Sequence, residues 1–133
     1  MKLPILCLDF DGVLHSYESG WQGAEIVNDP PVPGAIAFLF EALCHFEVHI
    51  FSSRSHQPMG IEAMQVWLAH YEVEWLQEQQ RAGLPLPRTS LLLNIKWPRE
   101  KPAALVTIDD RAITFTGVWP SMEMLQAFKP WNK

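Results

Sequence analysis

A chain of 133 residues with 48% hydrophobic and 19% charged residues holds enough apolar material for one core, too much for a disordered chain, and fits a single domain over residues 1–133. The net charge of −5 argues against broad attraction to nucleic acid or to an anionic membrane, since both need clustered Lys and Arg. The two cysteines, Cys7 and Cys44, sit in apolar runs and read as reduced core thiols of a cytoplasmic protein, and the N-terminal apolar run is too short for a signal peptide or a membrane span.

Residues 3–8 form an apolar run that stops at Asp9-Phe10-Asp11-Gly12, as a buried strand ending in a turn does. From His15 to Pro33, Gly, Asn and Pro residues predict an irregular excursion with room for one hairpin. Ile36, Leu39, Phe40 and Leu43 recur at helical spacing, so a helix runs from Gly34 to near His45. Phe46 to Phe51 alternates as a second strand and opens into Ser52-Ser53-Arg54-Ser55. Residues 59–80 carry a helical stripe of Ile61, Met64, Trp67, Leu68, Tyr71 and Trp75. After a Pro-punctuated connection at Leu84 to Pro87, Ser90–Ile95 reads as a third strand, Trp97–Lys101 as a loop and Leu105–Ile108 as a fourth strand ending at Asp109-Asp110. Ile113–Thr116 suits a short edge strand and Pro120–Phe128 a last helix. Strands alternating with helices predict an α/β fold, a parallel sheet with helices on both faces, whose ligands gather beyond the strand C-terminal ends.

Asp9 and Asp11 are two apart, so on extended backbone their carboxylates point to one side while Phe10 turns inward, and Gly12 lets the chain bend at once. Asp109 and Asp110 end another apolar strand. Either pair alone is most simply a solvated turn; at two strand ends of one sheet they form an acidic cluster whose repulsion a hard divalent cation such as Mg²⁺ relieves. Ser52 and its neighbour Ser53 offer a hydroxyl and backbone N–H groups for phosphoryl oxygens, and Lys101, with Lys96 as competitor, offers a cation against phosphate. Arg54, taken by itself, reads as a surface charge.

Leu8-Asp9-Phe10-Asp11-Gly12-Val13-Leu14, Phe51-Ser52-Ser53-Arg54, Lys101-Pro102 and Ile108-Asp109-Asp110-Arg111-Ala112 together resemble the four ordered motifs of the haloacid dehalogenase superfamily. The resemblance implies a Rossmann-like three-layer sheet with a flap after the first motif and a Mg²⁺-dependent phosphomonoester hydrolase. Asp9 would be the nucleophile that forms an aspartyl-phosphate, and Asp11 the acid that protonates the leaving group and then the base that activates water. It further implies Mg²⁺ held by Asp9, the Asp11 backbone carbonyl, Asp109 and Asp110, phosphate held by Ser52 and Ser53, and Lys101 balancing the nucleophile. A phosphotransferase of the same mechanism, or an idle phosphate-binding module, are the alternatives. The intervals between motifs are too short for a cap domain, so a capless or minimally capped form open to a phosphorylated substrate is expected.

The histidines at 15, 45, 49, 56 and 70 lack metal-ligand spacing, and those at 15 and 56 read as solvated loop residues beside the motifs. Trp21 and Trp97 fall in loops near the expected site, with core packing or flap anchoring the plainer role for each, and Trp119 and Trp131 are expected to pack the last helix.

Overall fold

Two apolar runs and one alternating run become strands, and their pairing brings the polar residues beyond their ends together. The structure, a computed structural model, describes residues 2–133. Strand β1 (Ile5–Leu8) pairs in parallel with β2 (Glu47–Ile50) and with β3 (Val106–Ile108), giving an open three-stranded sheet of order β2-β1-β3. Leu8 is in register with Ile50 on one side and Ile108 on the other. The residues that follow, Asp9, Phe51 and Asp109, therefore leave the sheet side by side, fixed by bonds from the Phe51 N–H to the Leu8 carbonyl (3.0 Å) and from the Asp9 N–H to the Ile108 carbonyl (2.9 Å).

Helix α1 (Ala35–Leu43) follows Gly34, whose left-handed φ of 87° turns the chain into it. It buries Ile36, Leu39 and Phe40, as its spacing predicts. Helix α2 (Gly60–Arg81) is 22 residues long and buries Met64, Trp67 and Leu68 on the predicted stripe. These residues meet Leu6, Leu8, Phe10, Val48 and Ile50 in one core, closed by Leu91 and Ile95. No helix among the described residues is long and apolar enough to cross a membrane.

Four expectations need correction. The third strand expected at Ser90–Ile95 is a short helix, α3 (Leu91–Asn94). Ser90 caps it by accepting the Leu93 N–H, and the buried Glu72 of α2 accepts the Leu91 N–H at 2.9 Å. A run of leucines fits either state, and here the cap and a tertiary partner choose the helix; only Lys96, just beyond, pairs with the β2 edge. Ile113–Thr116 is not a strand, because β3 has no further partner on that side. The last helix, α4 (Met122–Gln126), is capped by Ser121 but buries nothing, and Trp119 lies exposed against Phe115 instead of packing it. Cys7 is a buried free thiol as expected; Cys44, one residue past α1 and off its buried face, is exposed.

Glu72 ties α2 to α3 through one hydrogen bond to a buried carboxylate. Glu72→Ala is expected to lower unfolding free energy by about 1–3 kcal/mol, and Glu72→Gln, which keeps an acceptor, by less. Glu74→Ala, on the exposed face of the same helix beside His70, is the control and should stay within about 0.5 kcal/mol of the parent in urea denaturation. Equal losses at positions 72 and 74 would show that the cap contributes nothing.

Candidate active site

The chain leaves β1 at Asp9, returns Phe10 fully to the core, and turns at Asp11-Gly12 with the N–H groups of Val13, Leu14 and His15 all directed at the Phe10 carbonyl. Gly12 is required twice. Its φ of 82° is left-handed, and a Cβ there would collide with the Asp110 carboxylate. The close approach brings the two acidic motifs together: carboxylate oxygens of Asp9, Asp109 and Asp110 lie within 4.8 Å of one another. Asp110 is almost wholly enclosed, and its Oδ1 is buried with no hydrogen-bond partner among the described residues. Burial, followed by the charges of Asp109 and Asp110, pushes the Asp9 carboxyl up to about 8, although the Phe10 N–H bonds to it. Three crowded carboxylates with an orphaned buried oxygen fit a hard divalent cation such as Mg²⁺.

Asp11 faces a different environment. Its side chain is not part of the acidic trio; the Arg54 Nε lies 2.9 Å from Oδ2, Arg54 Nη2 lies 3.0 Å from Oδ1, and His15 Nδ1 lies 2.8 Å from Oδ1. Burial alone would raise this carboxyl, but the hydrogen bonds from His15 and Arg54 and the guanidinium charge outweigh it and hold Asp11 below the usual carboxylate range. Asp9 and Asp11, with only Phe10 between them, are thus pushed in opposite directions.

Arg54 corrects the sequence reading most sharply. Far from being a surface charge, it is fully buried. While Nε and Nη2 grip Asp11, Nη1 donates to the carbonyls of Gly23, Ala24 and Ile26 at 2.9–3.0 Å, pinning the excursion over the site. The guanidinium also lies 4.9 Å from the ring centre of Trp21, which is half exposed and anchors the excursion. His15 is likewise buried, not solvated, whereas His56 is exposed as expected. Trp97 packs partly buried against the core.

Ser52 is buried directly beyond β2, in a turn closed by its own N–H to Ser55 Oγ and by the Arg54 N–H to its Oγ (3.2 Å), which leaves the hydroxyl proton free to donate. Ser53 is exposed at the tip of this turn. The ammonium of Lys96 is 2.9 Å from Glu47 at the start of β2, the end of the strand away from the site. Lys101 is exposed, and its charge is felt at the Cys7 thiol together with those of Asp9 and Asp109. Lys96 is thus held away from the acidic edge.

Because the folded chain retains a proton on Asp9 that the unfolded chain releases near 3.8, its metal-free stability falls as pH rises between that value and about 8. Asp9→Asn carries no such proton. Its melting temperature without metal should match the parent's near about pH 4 and exceed it by about 3 °C or more at about pH 8.5, where Mg²⁺ should raise the parent's alone. Parallel pH profiles for the two proteins would refute the crowded-carboxylate picture. Comparison with protein-family models, with curated proteins and with solved structures finds no match, so the chemistry of this site rests on its own geometry.

Proposed function

We propose that the chain is a Mg²⁺-dependent phosphomonoester hydrolase working through an aspartyl-phosphate on Asp9, a capless member of the haloacid dehalogenase superfamily with a reduced Rossmann-like layered sheet. The observation that carries the reading is the division of four aspartates into two sets at one sheet edge: Asp9, Asp109 and Asp110 share a crowded acidic corner, while Asp11 is held apart by Arg54 and His15. The four sequence segments that resemble the superfamily's motifs supply those residues in order.

In this reading Asp9, Asp109, Asp110 and the Asp11 carbonyl would hold Mg²⁺, which when bound would neutralise the charge that phosphate and nucleophile bring together. An Asp9 oxygen attacks phosphorus as the ester P–O bond breaks, and the departing oxygen takes a proton from Asp11. Water then attacks the aspartyl-phosphate, giving its proton to Asp11, and phosphate leaves with Asp9 restored. The Ser52 hydroxyl donates to a phosphoryl oxygen, the exposed Ser53 adds its backbone N–H, and Lys101 offsets negative charge at Asp9. The first test is phosphate release from a chromogenic phosphomonoester with and without Mg²⁺. Parent activity is expected to require the metal and to fall at least about 10³-fold in Asp9→Asn. A folded parent that binds phosphate but releases none from a broad panel would instead identify a binding module.

The hydrogen bonds that hold Asp11 as an anion suit it better for the base step than for the acid step. Aryl phosphates, whose leaving groups need little help from a proton, should therefore exceed alkyl phosphates in kcat/KM by about 10²-fold or more near pH 7.5, and the gap should narrow as the pH is lowered. A ratio independent of pH would remove Asp11 from the acid role.

A further inference from the structure

His15 is fully buried, and its two ring nitrogens face groups of different kinds. Nε2 lies 3.0 Å from the backbone N–H of Asp29, which can only donate, so Nε2 is the acceptor. The ring proton then sits on Nδ1, 2.8 Å from Asp11 Oδ1. The Asp29 carboxylate also faces this nitrogen, with Oδ2 3.6 Å from Nε2, but that is beyond hydrogen-bond reach, and its oxygens accept from the Ser19 N–H at 2.8 Å and the Ser19 hydroxyl at 2.6 Å. The imidazole plane is fixed as well: Phe10 stacks on it at 5.4 Å and Trp67 meets it edge-on at 5.8 Å, with the Trp67 indole N–H bound to the Asp29 carbonyl at 2.8 Å. A donor whose tautomer and plane are both determined from outside imposes its direction on the group it touches.

We infer that His15 is a positioning residue: locked as the Nδ1–H tautomer by the Asp29 amide, it holds the Asp11 carboxylate in the orientation from which protons pass to and from the substrate. The inference rests on the phosphohydrolase reading and adds to it a residue that touches neither phosphate nor metal. Arg54 grips Asp11 from the second motif, and His15 grips it from within the first, so the carboxylate has no free rotamer. His15 also ties Asp11 to the far end of the excursion, because Asp29 lies where that segment approaches α2.

Two measurements test this. Nitrogen-15 correlation spectra of the imidazole in the full-length parent, with and without Mg²⁺, should show a neutral Nδ1–H ring at pH 7, whether or not the protein turns over. In kinetics on an alkyl phosphomonoester, the His15→Asn amide nitrogen ends near the place of Nδ1 and keeps a donor to Asp11, while the longer His15→Gln amide ends near the place of Nε2. His15→Gln should lose about 10–100-fold in kcat with KM changed less than about 3-fold, and His15→Asn should recover to within about 5-fold of the parent. An Nε2–H or doubly protonated ring overturns the lock directly. Equal kcat in parent and His15→Gln, or a loss confined to KM, overturns the positioning role. A parent without Asp9-dependent hydrolysis fails the phosphohydrolase reading, and the spectrum still decides the tautomer on its own.

Discussion

A guanidinium taken wholly out of water costs several kcal/mol unless its donors and its charge are answered, and Arg54 is answered by a carboxylate on one side and three carbonyls on the other. Those partners come from two separated places, the turn after β1 and the excursion, and Arg54 reaches both from a third, the turn after β2. The excursion has no regular ladder to hold it, and the carbonyls of Gly23, Ala24 and Ile26 converge on Arg54 as their common donor. Asp11 in turn is kept ionised and fixed in direction by the same side chain. Folding of the irregular segment and shaping of the site are therefore one event. The close packing beneath it supports this, since a Cβ at Gly60, the first residue of α2, would collide with the Arg54 carbonyl.

The pair Asp9 and Asp11 shows how little sequence distance is needed to separate chemical roles. On extended backbone both point to the same side, yet Asp9 is driven toward neutrality by burial and by two neighbouring acids, while Asp11 is surrounded by donors. Divergence of this kind assigns different work to two otherwise identical groups. Gly12 makes the arrangement possible by letting Asp110 approach the turn, so the acidic corner is assembled by contact between the first and last motifs and not by either alone.

Much of this was legible in the sequence. Strand ends at Leu8 and Ile108 follow from apolar runs cut off by acids, the alternation of Phe46 to Phe51 ends one residue beyond Ile50, and the parallel arrangement then puts Asp9, Ser52 and Asp109 at one edge. What could not be read depends on partners distant in the chain. Leu91–Asn94 is a helix because Glu72, nineteen residues earlier, accepts its first N–H. Arg54 and His15 looked like ordinary loop residues because their burial is created by backbone atoms of the excursion, which no periodicity marks. The one available signal was weak: a lone Arg two residues after Ser52 and a lone His four residues after Asp11. Conversely, the C-terminal aromatics read as core material, yet Phe115 and Trp119 remain at the surface because α4 offers no buried face to receive them.

Trp131, expected to pack the last helix, is also 65% exposed, and it holds the first turn from outside instead. Its indole N–H donates to the Gly12 carbonyl at 2.7 Å, Asn132 donates to the Ser16 carbonyl at 3.2 Å, and the Lys133 ammonium lies over the Tyr17 ring. Gly12 and Tyr17 both have positive φ, an arrangement that a bulky residue such as Tyr adopts only where its surroundings compel it. The returning segment thus braces the turn through contacts separate from those of Arg54. Residues between Asp11 and Tyr17 are gripped from within by a buried cation and from without by the last described residues. The turn that carries Asp11 thus owes its fixed shape to these two grips together.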